Sequence, residues 1–315
     1  MSTTDLYPKN FEEFLDKYAT EKDCMNYIAE VRWGETGFVC PKCGAKGAYI
    51  SKDDLRCCKI CNQKTSVMSG TVFHRSKKSL RLWFHVMWWV VSQKNGCSAM
   101  NLKNVMDFNS YETAWTWLHK LRKVMVDPNR TRLNGNVEVD ESFIGASETE
   151  VTGRETVKKI LIAVVVEVKS GGSMGRIRLQ RIKDASSDEL LPFIMNNIEK
   201  GSTVITDGWS SYSSLSKNGY NHVIHNISKS DKPADELLPH VHIVISLIKR
   251  WLLGTHQGAV FEKHIQAYLN EFTFRFDRKS SKNRGRLFYS LMQLAIKQKA
   301  ITMDGLTGKE SFSDF

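Results

Sequence analysis

Val-Glu-Val-Asp-Glu-Ser (residues 137–142) and Val-Ile-Thr-Asp-Gly-Trp (residues 204–209) each carry an aspartate at the end of an apolar run. The β-branched residues of both runs predict β-strands. A carboxylate that ends a strand is held rigidly at the mouth of a sheet, where two such groups bind one hard metal ion through oxygen. Taken alone, Asp140 and Asp207 would each be ordinary turn residues, because aspartate is common in turns. The metal interpretation therefore depends on the rest of the chain.

The segments around these aspartates predict a mixed sheet flanked by helices. Strands are predicted at 137–139, 160–168, 176–182, 204–206 and 222–225. Ser187 begins a helix between the third and fourth strands. Three successive strands followed by helix, strand and helix are typical of an RNase H-like α/β core. Such a core brings its first and fourth strands together, which places Asp140 and Asp207 in one site.

A third metal ligand is expected on a helix beyond the second aspartate. The candidates are Asp235, Glu236, His240 and His242. His242 and Lys249 are two helical turns apart, so they share one helix face. His242 would offer an imidazole nitrogen to the metal, and Lys249 would hold a phosphate as a point charge. The alternative for His242 is an ordinary hydrogen-bonded histidine at the start of a helix.

Two Cys-x-x-Cys turns predict a zinc ribbon. Cys40-Pro-Lys-Cys43 and Cys58-Lys-Ile-Cys61 enclose a segment that predicts a β-hairpin. Four thiolates on two such turns form a tetrahedral Zn²⁺ site that leaves no open position for a substrate, so the zinc would be structural. Cys57 is adjacent, but only Cys58 keeps the two-residue spacing with Cys61.

The region 78–125 carries apolar side chains at helical spacing, as does the region 10–32. Asn95-Gly96-Cys97-Ser98 interrupts the first of these regions, and two shorter amphipathic segments follow at 98–106 and 110–125. A short helix, a tight turn and a longer helix with a basic end are typical of a helix-turn-helix. A plain helical hairpin with the tryptophans in its core fits the pattern nearly as well.

The composition is that of a basic globular protein. The chain has 315 residues, 41% of them hydrophobic, and a formal net charge of +11, which favours a polyanionic partner such as DNA. The first residues lack an apolar signal core and the longest apolar runs are too short to cross a bilayer, so we expect a cytoplasmic, nucleoid-associated protein. The residues expected to contact DNA phosphates are Lys77, Lys78, Arg81, Lys120, Arg122, Lys123, Arg278 and Lys279.

The chain resembles bacterial insertion-sequence transposases that join an N-terminal zinc ribbon to an RNase H-like core of the DDE type. The resemblance is carried by Cys40-Pro-Lys-Cys43-Gly, Gly70-Thr-Val-Phe73, Val-Glu-Val-Asp140-Glu, Thr-Asp207-Gly-Trp-Ser-Ser-Tyr212, Lys249-Arg-Trp-Leu-Leu-Gly-Thr-His-Gln-Gly258 and Tyr268-Leu-Asn-Glu-Phe-Thr-Phe-Arg275. It implies that Asp140 and Asp207 are catalytic and that Lys249 follows the third catalytic position by seven residues. That position is often Glu or Asn in such enzymes, and here it is His242. We favour a working DDH variant over a degraded copy, because the rest of the chain shows no obvious damage.

The resemblance also implies an activity and its partners. The expected protein is a transposase that binds the terminal inverted repeats of an insertion sequence and cuts and joins double-stranded DNA, using Mg²⁺ or Mn²⁺ held by Asp140, Asp207 and His242. Two ends must be held together, so a homodimer or larger assembly on DNA is expected. The alternatives are a catalytically inactive zinc-ribbon DNA-binding protein derived from a transposase and an RNase H-like nuclease.

Five segments are expected along the chain. They are an N-terminal helical segment (1–36), the zinc ribbon (37–74), a helical, helix-turn-helix-like DNA-binding region (75–130), the RNase H-like transposase core (131–290) and a C-terminal tail (291–315). A chain of this length accommodates one full catalytic core and one or two small modules.

Overall fold

The computed structural model of the protein describes residues 7–145, 159–225, 234–257, 261–299, 301–302 and 305–306. The chain divides into two units, of which the second comprises Val126–Lys279 and the first comprises the residues on either side of it. No helix in the described part is long and apolar enough to span a membrane.

The first unit combines a small antiparallel sheet with helices. Its elements are α1 (Phe11–Lys17), α2 (Glu21–Trp33), β1 (Ala48–Ile50), β2 (Arg56–Cys58), β3 (Lys64–Thr65), α3 (Leu80–Ser92), α4 (Ala99–Val105), α5 (Tyr111–Val124) and, from the far end of the chain, α10 (Arg284–Lys297). Ser79, Ser98 and Ser110 cap α3, α4 and α5, because each hydroxyl accepts a hydrogen bond from the backbone N–H three residues later. The expected zinc ribbon and helical region are confirmed as parts of this unit.

Helix α10 packs within the first unit. The ring of Phe288 lies 5.3 Å from those of both Phe14 and Phe84, and Val72 N–H donates to Ala295 O. The expected boundaries at 290 and 291 therefore fall inside a helix. Local patterning could not show this packing, because Phe14, Val72 and Phe84 are all far from their α10 partners along the chain.

The second unit is built on a mixed five-stranded sheet. Its strands are β4 (Asn136–Ile144), β5 (Ile160–Val168), β6 (Met174–Arg181), β7 (Thr203–Thr206) and β8 (Asn221–Ile224), in the order β6-β5-β4-β7-β8. The first three form an antiparallel meander, and β7 and β8 add in parallel. The expected α/β fold with a mixed sheet and flanking helices is confirmed.

Helices cover both faces of this sheet. Val137, Val139 and Val165 lie in one apolar layer with α6 (Ser187–Asn197). Residues on the other face of these strands, such as Ile162 and Val164, lie in a second apolar layer with α8 (Pro239–His256) and α9 (Ile265–Asp277). A short helix, α7 (Ala234–Leu237), precedes α8. The central strands are therefore apolar on both faces, as buried strands must be.

Strand β4 extends beyond Asp140, contrary to the expected strand end. Its antiparallel pairing with β5 continues from Asp140↔Val164 to Ile144↔Ile160. Its parallel pairing with β7 stops earlier, at Glu138↔Ile205. Asp140 thus lies where the parallel pair ends, while β5 continues to hold the strand in place.

Candidate functional site

Asp140 and Asp207 occupy matching positions on neighbouring parallel strands, just past the point where the two strands stop pairing with each other. Glu138 and Ile205 form the last pair of the parallel β4–β7 ladder, and each aspartate follows two positions later. Because side chains alternate along a strand, both aspartates belong to the sheet face on which Ile205 packs against the apolar layer of α8. Burial raises the pKa of Asp140, and the negative charge of Asp207 adds to this rise.

Backbone N–H groups fix one oxygen of each aspartate. Asp140 Oδ1 accepts from Glu141 N–H at 2.8 Å, and Asp207 Oδ1 accepts from Trp209 N–H at 2.9 Å. The turn after Asp207 requires glycine, because Gly208 has a φ of 88° and an added Cβ would lie 2.6 Å from Ile224 Cγ2. Each carboxylate therefore has a defined orientation, and its second oxygen, Oδ2, takes no part in this hydrogen bond.

Helix α8 brings His242 to Asp140. His242 Nε2 lies 3.8 Å from Asp140 Oδ2 and is buried without a hydrogen-bond partner among the described residues. Two metal–ligand bonds of about 2.1 Å span at most about 4.2 Å between the ligand atoms, so one divalent ion could bridge this pair. Lys249 is exposed two turns further along α8, and its charge only partly offsets the rise in the pKa of Asp140 that burial causes.

Carboxylates accumulate at this site at an electrostatic cost. Burial raises the pKa of Asp140 to about 6. Burial, together with the charges of Asp140 and Asp207, raises the pKa of Glu141 to about 7. The side chain of Tyr212 lies beside Glu141 and partly offsets this rise in pKa. A bound divalent cation beside Asp140 would offset the buried negative charge there, which is the second observation that fits a metal.

Glu141 was missed by the sequence reasoning, although it directly follows Asp140. Alternation places it on the opposite face of β4, beside the buried side chain of Tyr212. The Asp-Glu pair was the available signal in the sequence. A second carboxylate within an apolar strand is costly to bury without a partner, so it indicates a special environment.

The other candidates for a third ligand differ in their surroundings. His240 Nδ1 lies 2.6 Å from Glu138 Oε1 and its Nε2 lies 2.8 Å from Gly172 O, so both ring nitrogens are engaged. Glu236 is exposed on α7, and the side chain of Asp235 lies outside the described residues. Of the candidates whose side chains are described, His242 is the one with an unengaged buried nitrogen beside Asp140.

The four predicted zinc ligands lie together. Their Sγ atoms are all within 4.8 Å of one another, with Cys40–Cys61 at 3.6 Å and Cys43–Cys58 at 3.7 Å. A tetrahedral Zn²⁺ site with Zn–S bonds of about 2.3 Å has sulfur–sulfur edges of about 3.8 Å, so the arrangement fits zinc. Backbone N–H groups of Cys61 and Ile60 lower the pKa of the Cys58 thiol to about 6, which favours the thiolate that binds metal.

We expect Cys58→Ser to lose the bound zinc and the folded ribbon, whereas Cys57→Ser should keep both. Cys57 is buried in β2 next to Cys58, but its Sγ lies near Leu55 O and outside the four-thiol group. Zinc content by elemental analysis and hydrogen exchange over residues 37–65 would measure the difference. Loss of the structural ion removes most of the folding free energy of so small a module. Equal zinc content in the two variants would contradict this ligand set.

The basic residues expected to contact DNA differ in exposure. Lys77, Lys78, Arg81, Lys123 and Lys279 are exposed, and Lys120 and Arg278 are half-buried. Arg122 is 2% exposed, and its Nη2 donates to Cys97 O at 3.0 Å. Arg122 is therefore a buried structural residue of the helical region and is not placed to reach a DNA phosphate, which corrects that expectation.

Two domain models match parts of the chain. Residues 132–277 match the ISXO2-like transposase domain, and residues 19–64 match the transposase zinc-ribbon domain. An uncharacterized protein in transposable element ISH50 of Halobacterium salinarum is 25% identical over 286 residues, covering 83% of this chain and 92% of that protein. A simian T-cell lymphotropic virus intasome in complex with PP2A regulatory subunit B56 gamma gives a TM-score of 0.28 at 12% identity, over 56% of this chain and 61% of that one.

Proposed function

We propose that this chain, which carries a transposase zinc-ribbon domain followed by an ISXO2-like transposase domain, cuts and joins DNA at the ends of an insertion sequence. The observation that carries the proposal is the position of Asp140 and Asp207, each two residues past the last pair of the parallel β4–β7 ladder, with His242 Nε2 3.8 Å from Asp140 Oδ2. Rigid carboxylates in this arrangement suit the transfer of a phosphodiester bond from one oxygen to another.

Asp140, Asp207 and His242 would hold Mg²⁺ or Mn²⁺. Such an ion supplies Lewis acidity at the scissile phosphate and lowers the pKa of an attacking hydroxyl. The chain itself holds Asp140 Oδ1 and Asp207 Oδ1 on backbone N–H groups, so the second oxygens stay oriented. Lys249, exposed on the same helix as His242, would bind a substrate phosphate as a point charge.

The imidazole at position 242 supports a working DDH variant. A buried ring nitrogen without a hydrogen bond is costly unless it has a further partner, and His242 Nε2 is turned toward Asp140. A neutral imidazole gives the site less negative charge than a glutamate would. Nitrogen donors also suit Mn²⁺ better than Mg²⁺, so we propose that the site prefers Mn²⁺.

Trp209 is a further substrate-binding candidate, which the sequence reasoning did not single out. It is 53% exposed, two residues after Asp207. Its indole N–H donates to Ala185 O at 3.0 Å and its backbone N–H donates to Asp207 Oδ1, so the ring is both anchored and accessible. An exposed, immobilised aromatic ring is suited to stack on an unpaired DNA base.

We expect Trp209→Ala to weaken binding of DNA with an unpaired terminal base roughly tenfold, because stacking contributes about 1–3 kcal/mol per base. Trp209→Phe keeps an aromatic ring and should lose much less. Fluorescence anisotropy would give the affinities, and 2-aminopurine at the terminal position would report stacking directly. Equal quenching of 2-aminopurine by the wild type and Trp209→Ala would exclude this role.

The proposed activity is tested with the full chain and duplex DNA that carries the terminal inverted repeats of its element. Cleavage at the repeat end and joining to a target plasmid, both dependent on Mg²⁺ or Mn²⁺, are expected. Specific binding without cleavage in either ion would indicate the inactive DNA-binding derivative. Cleavage of RNA–DNA hybrid without any joining would indicate the nuclease.

A further inference from the structure

Glu138 is a buried carboxylate that joins β4 to the start of α8. It is 4% exposed. Its Oε2 accepts from Val241 N–H at 2.8 Å, and its Oε1 lies 2.6 Å from His240 Nδ1. Burying a charged group this deeply is unfavourable unless the group is paired and hydrogen-bonded. Both oxygens of Glu138 have such partners, and both partners lie at the start of α8.

His240 is the second partner of Glu138 at the start of α8. Its Nδ1 contacts a carboxylate oxygen of Glu138, and its Nε2 contacts the carbonyl oxygen of Gly172. Both ring nitrogens are therefore engaged. Through this ring, Glu138 also connects the start of α8 to the turn between β5 and β6.

Helix α8 has no N-terminal cap of its own. Its N-cap residue is Leu238, which provides no side-chain hydrogen bond, and Pro239 occupies the first turn. The first N–H groups of a helix need acceptors, and a negative charge there is favourable. Glu138, which is 103 positions from Val241 along the chain, supplies both from the neighbouring strand.

This contact lies immediately beside the candidate site. Glu138 is two residues before Asp140 on the same face of β4, and Val241 directly precedes His242 on α8. The strand and the helix are thus joined next to the two residues whose side chains meet at 3.8 Å.

We infer that Glu138 is a positioning residue that sets the separation of His242 from Asp140 by holding the start of α8 on β4. The inference rests on the proposed function of that site. Glu138 itself is not expected to contact DNA or metal, because both of its oxygens are engaged with α8. Residues that orient metal ligands in this way typically contribute roughly 10- to 100-fold to metal affinity or activity.

Three variants of the full chain test this role. Glu138→Ala removes both acceptors. Glu138→Gln keeps the shape, because its carbonyl oxygen still accepts from Val241 N–H and its amide donates to a neutral His240. Glu167→Ala is the matched control, since Glu167 is also a buried carboxylate and is paired with Arg176. Glu167 lies opposite Val137 in the sheet, on the face that packs against α6 and not against α8.

The measurements are hydrogen exchange over residues 239–245, Mn²⁺ affinity by calorimetry and the cleavage rate. For Glu138→Ala we expect faster exchange in this segment, with Mn²⁺ affinity and cleavage lowered roughly tenfold or more. Glu138→Gln should recover most of each value. Glu167→Ala should lower the melting temperature but leave all three readouts unchanged at temperatures where the protein is folded.

Several outcomes overturn the role. They are unchanged exchange in Glu138→Ala, faster exchange with wild-type Mn²⁺ affinity, and equal losses in Glu138→Ala and Glu167→Ala. Failure of the proposed function looks different. In that case the wild type does not join DNA, while Mn²⁺ binding that depends on Asp140 still weakens in Glu138→Ala. A wild type without any Mn²⁺ binding that depends on Asp140 overturns both.

Discussion

Asp140→Ala and Asp207→Ala are each expected to lower metal-dependent cleavage and joining roughly a thousandfold or more. Either change removes a rigid carboxylate ligand, and the charge stabilisation that a bound ion provides amounts to several kcal/mol, at about 1.36 kcal/mol per factor of ten in rate. Single-turnover cleavage of terminal-repeat DNA, measured in Mg²⁺ and in Mn²⁺, gives the rates. Full activity in both variants would remove the basis of the proposed function.

Asp140→Asn separates loss of chemistry from loss of folding. Burial raises the pKa of Asp140 from 3.8 to about 6, so without a divalent ion the ionised side chain destabilises the folded state by roughly 3 kcal/mol above that pH. This penalty disappears as the pH falls from about 6 toward 4, where the folded and unfolded carboxyl groups are both protonated. A neutral amide removes it at every pH.

Urea denaturation without divalent ions should therefore show Asp140→Asn at least as stable as the wild type at pH 8, with the difference shrinking at pH 4–5. The same variant should be inactive. An inactive variant that is less stable than the wild type at pH 8 would mean that folding, and not ligand loss, accounts for its inactivity.

The sequence predicts a site where local patterns carry long-range information. Strand order alone predicts that Asp140 and Asp207 lie at one edge of the sheet, and β4 and β7 are indeed parallel neighbours. Cysteine spacing predicts the zinc ligands for a similar reason, since a tetrahedral ion accepts few geometries. In both cases the constraint is visible along the chain before any contact is known.

Burial of charged residues could not be predicted in the same way. Arg122 follows a basic pattern at the end of α5, yet its guanidinium bonds to Cys97 O inside the first unit. The packing of α10 and the contact of Glu138 with α8 likewise depend on partners distant in sequence. Hydrophobic periodicity reports which face of an element is apolar, but it does not report which polar group on another element meets it.

His242→Ala is expected to lower cleavage roughly 10- to 1000-fold, because the site loses its nitrogen ligand while both aspartates remain. His242→Glu is the more informative change. It replaces the nitrogen ligand with an oxygen ligand. It also adds a negative charge to a site where burial already raises the pKa of Asp140 and of Glu141. We therefore expect His242→Glu to bind divalent ions and to shift the ratio of activities from Mn²⁺ toward Mg²⁺, since oxygen donors favour Mg²⁺.

Glu236→Ala is the control, because Glu236 is exposed on α7 and should leave the rate unchanged in both ions. The activity ratio in Mn²⁺ and Mg²⁺, measured on the same DNA, separates a ligand from a residue that only supports folding, since a folding defect lowers both rates alike. Wild-type activity in His242→Ala, with loss in Glu236→Ala, would transfer the third position to α7 and leave the unpaired His242 Nε2 without a function in catalysis.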